Sequence, residues 1–296
     1  MALHQRVPAP PLDVLVEKLW DWDMPPAPHR YERVLPQPGT QLIINLYEDQ
    51  TRIYTDDAER RCLRSSGSVL GGPQLCSQII DTAEQIRVMG AVFRPGGAGA
   101  LTGEDMAALE GRDVDLTDLF GHQATALRQR LLETPQPLHR LALLEGWLRQ
   151  RMRLPCVEPS VAHALAWLEC APQAARIGWL VRETGVSERR LGRLFRRQVG
   201  YGPKQYARLL RFRAVVAQVH GHLRVDWADV AAAGGYCDQA HLAHEFRRFR
   251  RHHARRIRGP AGHLSQPPGA RLSGRKSTRP PAGDGLDSCL PTGEPR

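Results

Sequence analysis

The amino-acid sequence predicts an α+β protein of two domains. A β-rich N-terminal domain carries a helical extension, and an all-α domain follows it. Three observations lead there. Short apolar runs punctuated by glycine and proline occupy residues 12–101, whereas apolar residues at helical spacing take over after residue 104 and continue to 249. The chain has 296 residues, 42% of them hydrophobic, enough for two cores. Charge also divides along it: residues 1–171 hold 17 Lys and Arg against 22 Asp and Glu, while residues 172–258 hold 19 against 6. Such asymmetry suits a basic nucleic-acid-binding module joined to something else.

The boundaries expected are 1–121 for a β-rich sensing or dimerisation domain and 122–159 for a helical extension and linker. Residues 160–258 form the basic helical domain, and 259–296 a disordered tail rich in Pro, Gly, Ser and Arg. In the first part VLPQPGTQLIINLYE, RIYTDD, GSVLGG and QIRVMGAVFRPGG read as strands between turns, which suggests a compact sandwich or barrel. ATALRQRLLE and PLHRLALLEGWLRQRM then read as helices. Leu138, Leu141, Leu144, Trp147 and Leu148 make a stripe that fits either intradomain core or a dimer seam. RLPCVEPS is a linker, because Pro155 and Pro159 interrupt any helix.

The basic block divides into two similar units. In ARIGWLVRETGVSERRLGRLFRR, Ile177, Leu180 and Val181 line one face of a first helix, and Gly185 permits a left-handed turn. Ser187 caps the next helix, and Glu188 suits its positive end. Leu191, Leu194 and Phe195 then fall at i, i+3 and i+4, while Arg189, Arg190, Arg193, Arg196 and Arg197 point elsewhere. This is helix-turn-helix spacing, whose second helix enters a major groove. VDWADVAAAGGYCDQAHLAHEFRRFR repeats it, with a turn at Gly234-Gly235, a cap at Asp238 and a stripe of Leu242, Phe246 and Phe249. Between them GPKQYARLLRFRAVVAQV reads as one long helix started by Pro203.

The pieces GVSERRLGRLFRRQVGYGPKQYARLLRFRAV and VAAAGGYCDQAHLAHEFRRF resemble the DNA-binding domain of the AraC/XylS family of transcription regulators. The resemblance covers roughly residues 160–251. It implies double-stranded DNA as partner and base contacts at Arg189, Gly192 and Arg193 in the first recognition helix, and at Gln239, Ala240, His241 and His244 in the second. Of these, Arg193 could pair bidentately with guanine and Gln239 with adenine, whereas Gly192 and Ala240 permit only close approach. Arg190, Arg197, Lys204, Arg247 and Arg248 are assigned to phosphates. Two positions depart from the family pattern: Val181 stands where the family has a small alanine, and RRHHARRI replaces a Gly-x-x-Pro-like element after Phe249.

RVLPQPGTQLIINLYE, GGPQ and VFRPGGAGAL are similar to the N-terminal domain of a little-characterised subgroup of the same family. That resemblance implies a cupin-like barrel or sandwich, often serving effector binding and dimerisation. Arg94 is a candidate for an anionic effector, although a plain tight turn explains it as well. Trp20 and Trp22 either line a pocket or pack at a core edge.

No cofactor or metal is expected. The first 120 residues contain only His4 and His29. His241, His244 and Cys237 have metal-ligand spacing but lack a fourth ligand, so DNA contact or exposure is favoured there. The six cysteines form no C-x-x-C pair, and no run of about 18 apolar residues suggests a membrane span, so a cytoplasmic location is expected. The expected function is sequence-specific regulation of transcription through two successive major grooves. RNA polymerase, a small effector and a second copy of the chain are expected further partners. Two alternatives stand beside it: a non-specific nucleic-acid binder with a degenerate second unit, and a DNA-directed enzyme. No nucleophile or metal cluster supports the latter.

Overall fold

The computed structural model describes residues 2–54, 60–153, 157–174, 177–221 and 225–249. RRHHARRI, the tail 259–296, Cys156 and Cys289 lie outside the described residues.

Two antiparallel sheets build the N-terminal part. The larger runs, in spatial order, β1 (Ala2–Arg6), β2 (Val16–Asp23), β9 (Arg87–Phe93), β4 (Gln41–Asn45), β7 (Ser68–Gly71) and β10 (Asp113–Asp115). The smaller runs β3 (Tyr31–Val34), β8 (Gln78–Asp81), β5 (Gln50–Tyr54) and β6 (Cys62–Ser66). Strand structure thus starts ten residues before the expected 12 and returns at 113–115, in a stretch read as helical. Neither end strand has an apolar signal of its own. β1 forms because β2 offers it a full register, from Ala2 opposite Asp23 to Arg6 opposite Leu19.

Period-two alternation divides the larger sheet cleanly. Leu19, Leu42, Ile44, Leu70, Met89, Ala91 and Phe93 face a core completed by helices. Trp20, Ile43, Val88 and Val92 face the other way, toward the smaller sheet. Gly90 lies between them without a side chain: a Cβ there would meet the Leu42 carbonyl oxygen at 2.0 Å and the Trp20 ring at 3.0 Å.

The covering helices are α1 (Gly97–Thr102), α2 (Leu116–Phe120), α3 (His122–Glu133) and α4 (Pro137–Arg149). Leu141, Leu144, Trp147 and Leu148 of α4 are intradomain core, whereas Leu138 is 61% exposed. The five-residue stripe is therefore corrected to four. Arg140 and Glu145 are buried with those four, so the covered face is turned away from Leu138. Arg140 donates to Asp21 on β2 through Nε (2.7 Å) and Nη2 (2.8 Å), and its Nη1 donates to the carbonyls of Thr134 and Pro135.

The remaining helices are α5 (Pro159–Cys170), α6 (Ile177–Thr184), α7 (Glu188–Val199), α8 (Pro203–Val219), α9 (Trp227–Ala233) and α10 (Gln239–Phe249). One core gathers Val161, Leu168, Leu180, Leu191, Phe195, Tyr206 and Phe212, and a smaller one gathers Val215, Val230, Tyr236 and Leu242. Val181 is half-buried against the first of these.

Candidate nucleic-acid interface

Both recognition helices are started by side chains and held by apolar residues on one face. Ser187 Oγ accepts the Arg190 backbone N–H at 3.3 Å, and Gly185 (φ 66°) closes the preceding turn. Leu191 and Phe195 are buried, with Phe195 edge-on to Tyr206. In the second unit Asp238 Oδ1 accepts the His241 backbone N–H at 2.7 Å. Leu242 and Phe249 are buried, and Phe249 stacks on Phe212 of α8 at 4.7 Å.

With those faces turned inward, the opposite faces are open. Arg189, Arg190, Arg193 and Arg197 are exposed on α7, and Gln239, Ala240, His244, Arg247 and Arg248 on α10. Gly192 is half-exposed. Lys204 is exposed with its Nζ 3.7 Å from Glu188, where it also joins the start of α8 to that of α7. His241 is half-buried: its ring lies edge-on to Tyr236 at 5.4 Å, and its Nδ1 accepts the Cys237 N–H at 3.4 Å. One His241 nitrogen is thus engaged in the turn. No group of three or more His, Cys, Asp or Glu that could hold a metal occurs among the described residues.

Arg208 lies in α8, the connecting helix. It is half-buried, and its guanidinium grips Glu245, Nε to Oε2 at 2.6 Å and Nη2 to Oε1 at 2.7 Å. This joins α8 to α10. Burial pushes the Glu245 carboxyl up, and the Arg208 hydrogen bonds and charge, with Arg248 and His241 beyond, outweigh it. The net pKa lies below the ordinary range.

The two halves of the chain touch at both units. The C-terminal end of α7 packs on α1 and on the turn Met106–Leu109. There Gly200 has φ 101°, and a Cβ on it would lie 2.2 Å from the Pro73 ring. The Tyr201 hydroxyl donates to the Pro38 carbonyl at 2.7 Å, and Gln198 accepts the Glu158 N–H at 3.1 Å. At the second unit the Ser77 N–H donates to the Phe249 carbonyl at 2.8 Å. Sequence reasoning missed this seam, since GGPQ at Gly72 pointed only to the resemblance of the N-terminal domain.

Beside the seam the two sheets enclose a cavity with about 850 Å³ of space free of protein atoms, part of it open to solvent. Trp20 lines it, with Ile43, Ile53, Val69, Ile80 and the polar groups Arg52, Gln74, Glu84 and Asp113. Arg52 donates to Glu84 (3.0 Å) and Glu48 (2.9 Å). Burial raises the Glu84 carboxyl to about 7 against the pull of Arg52. Trp22 and Arg94 do not line this cavity. Trp22 Nε1 donates to the Gln85 carbonyl, and Arg94 Nε donates to the Asp13 carbonyl at 2.8 Å. Arg94 is exposed and fastens the end of β9 to the turn Leu12–Val14.

Comparison with known proteins follows the same division. Residues 180–259 match a helix-turn-helix domain family, and residues 4–115 match a domain of unknown function (DUF6597). No curated protein sequence matches the chain. Among solved structures the chain is similar to apo ToxT from Vibrio cholerae, a variant form, with 8% identity, 77% of this chain and 92% of that chain covered, and a TM-score of 0.37. It is also similar to unsaturated-fatty-acid-bound ToxT from the same organism (10% identity, 78% and 90% covered, TM-score 0.36). A third is the AraC-like transcriptional activator CuxR (14% identity, 74% and 87% covered, TM-score 0.20).

Proposed function

We propose that this chain, whose residues 180–259 match a helix-turn-helix domain, is a DNA-binding transcription regulator of the AraC type and reads a two-part duplex site with α7 and α10 in successive major grooves. The observation that carries this is the pairing of two outward-facing recognition helices with one connecting helix. The pairing is fixed at α10 by Arg208 and Glu245. Grooves on one face of the duplex recur about every 34 Å, the separation a single rigid connector suits.

Arg189, Arg193, Gln239, His241 and His244 contact bases, with Arg193 on guanine and Gln239 on adenine. Arg190, Arg197, Lys204, Arg247 and Arg248 contact phosphates and set affinity and its salt dependence. Occupancy of a promoter site recruits or excludes RNA polymerase, which places the protein in the cytoplasm with the chromosome. The N-terminal domain, 1–121 with its extension to 159, senses an effector in the cavity between its sheets and offers a surface to a second copy. An effector acts through the seam with the DNA-binding domain.

Selection of bound sites from a random duplex library at near-physiological salt tests this. Wild type yields a two-part motif spaced by about one helical turn, and Arg193→Ala blurs one base position at a cost of about 1–3 kcal/mol. Steeply salt-dependent binding to every sequence, without enrichment, favours a non-specific binder instead.

A further inference from the structure

We propose that the cavity between the two sheets takes a small amine, a molecule with an apolar aliphatic or aromatic body and one protonated nitrogen whose counter-ion is the Asp113 carboxylate. This deepens the effector reading above and rests on it.

The wall is mainly apolar, so most of a bound molecule meets Ile43, Ile53, Val69 and Ile80. Its charge is selective. Arg52 lines the cavity, but its guanidinium is already met by the Glu48 and Glu84 carboxylates at 2.9 and 3.0 Å, which leaves no cationic surplus for an anion. Asp113 differs. It lies on the edge strand β10 and lines the cavity, with its Oδ1 3.4 Å from where a Cβ on Gly71 would stand. Among the described residues no hydrogen bond or ion pair reaches its carboxylate, and burial alone raises its pKa, to about 6. Asp113 is half-buried, and its carboxylate lines the mainly apolar wall without a partner among the described residues. A ligand cation relieves that cost, and a ligand carboxylate adds to it.

Further polar atoms of the wall are also unmatched. Trp20 Nε1 and Gln74 Nε2, both donors, and Thr40 Oγ1 are buried without a protein partner, and an acceptor on the body of the ligand, not its nitrogen, would meet the two donors. Gln74 belongs to the segment that enters β10's end of the cavity, since Gly72 N–H donates to the Arg112 carbonyl at 2.8 Å. Three strands separate β2 from β10, which puts Trp20 and Asp113 at opposite ends, roughly 19 Å apart at about 4.8 Å per strand. The cavity therefore has a charged end at Asp113 and an aromatic end at Trp20.

The charged end is also the end that communicates with the DNA-binding domain. Along residues 72–78, Gly72, Gln74, Cys76 and Gln78 line the cavity. The same segment also touches both helix-turn-helix units, Cys76 Sγ donating to the Arg248 carbonyl at 3.8 Å. Pro73 lies against Gly200, Leu75 packs on the DNA-binding core, and the Ser77 N–H donates to the Phe249 carbonyl. One segment thus borders both the cavity and the two helix-turn-helix units. A nitrogen held at Asp113 lies at the end of the cavity that this segment borders.

The test uses the full chain and three probes of one shape: phenylpropylamine, phenylpropanol and phenylpropanoate. Thermal unfolding and anisotropy on a bound duplex are followed near neutral pH for wild type and Asp113→Asn, which keeps shape and removes charge. The amine raises Tm and shifts DNA affinity, at concentrations about tenfold or more below those of the alcohol and the acid. Asp113→Asn weakens the amine about 10- to 100-fold and leaves DNA binding without probe unchanged. An equal response to the alcohol, or an amine response that survives Asp113→Asn, overturns the amine assignment and leaves the cavity an effector site. No response to any probe, with DNA binding intact, overturns the amine assignment and the effector reading together.

Discussion

Arg208 in the connecting helix holds Glu245 in the second recognition helix by two parallel hydrogen bonds, 2.6 and 2.7 Å long. A bidentate guanidinium–carboxylate pair fixes orientation as well as distance. With Phe249 stacked on Phe212 beside it, the pair sets where α10 stands relative to α8.

Glu245→Gln keeps the shape and discards the charge. It weakens binding to the two-part site by about 2 kcal/mol, the worth of a charge-assisted hydrogen bond, and spares an isolated first half-site. Anisotropy on full and half-site duplexes measures this. Acid acts likewise. The Glu245 carboxyl has a folded pKa below its ordinary 4.5, so its contribution to stability is complete above about 4.5 and is lost as pH falls through the folded value. Thermal unfolding between neutral pH and about pH 3 shows the loss in wild type, and less of it in Glu245→Gln.

Gly200→Ala meets two obstacles. A side chain at φ 101° is strained, and its Cβ falls on the Pro73 ring. The substitution costs about 1–3 kcal/mol of stability. Pro73→Gly in the same chain removes the collision but not the strain, so it returns part of the loss. Urea unfolding of both variants gives the two components.

Arg140→Met leaves the Asp21 carboxylate buried without its partner, where Asp21 is 1% and Arg140 3% exposed. Loss of one member of a buried pair costs about 3–5 kcal/mol. Adding Asp21→Asn returns part of it by removing the stranded charge. The measurement is again urea unfolding, and the double variant carries the argument if the single one fails to fold.

Arg197→Ala removes the phosphate contact proposed for that residue. Affinity falls for every sequence alike, and the slope of log K against log salt decreases in magnitude by about 1. Titrations at several salt concentrations, on the selected site and on an unrelated duplex, separate this from the base-specific loss expected of Arg193→Ala.

The DNA-binding half was legible because its signals are local. Ser187 and Asp238 cap the helices they precede, Gly185 turns where a left-handed residue is needed, and Leu191 and Phe195 lie at helical spacing on one buried face. Each of these is decided within about one helical turn of sequence. Of the residues lining the N-terminal cavity, only Trp20 was singled out from the sequence. Arg52 on β5, Glu84 after β8 and Asp113 on β10 converge from two sheets, and only the packing of those sheets brings them to one cavity. Arg94 carried a turn motif that suggested a ligand, yet its guanidinium serves the Asp13 carbonyl. Glu245 sits in a charged run on α10, and nothing in that run marks it as the residue that turns inward to Arg208, 37 positions away in sequence.

The central claim is that both recognition helices read DNA at a fixed separation. Its most direct measurement is affinity for a selected two-part site before and after insertion of about half a helical turn, roughly five base pairs, between the parts. A rigid α8 predicts that the insertion costs at least about tenfold in affinity, because the second half rotates to the opposite face, and that insertion of a full turn restores none of it. Affinity unchanged by the half-turn insertion contradicts the account, since it means that one unit alone supplies the recognition.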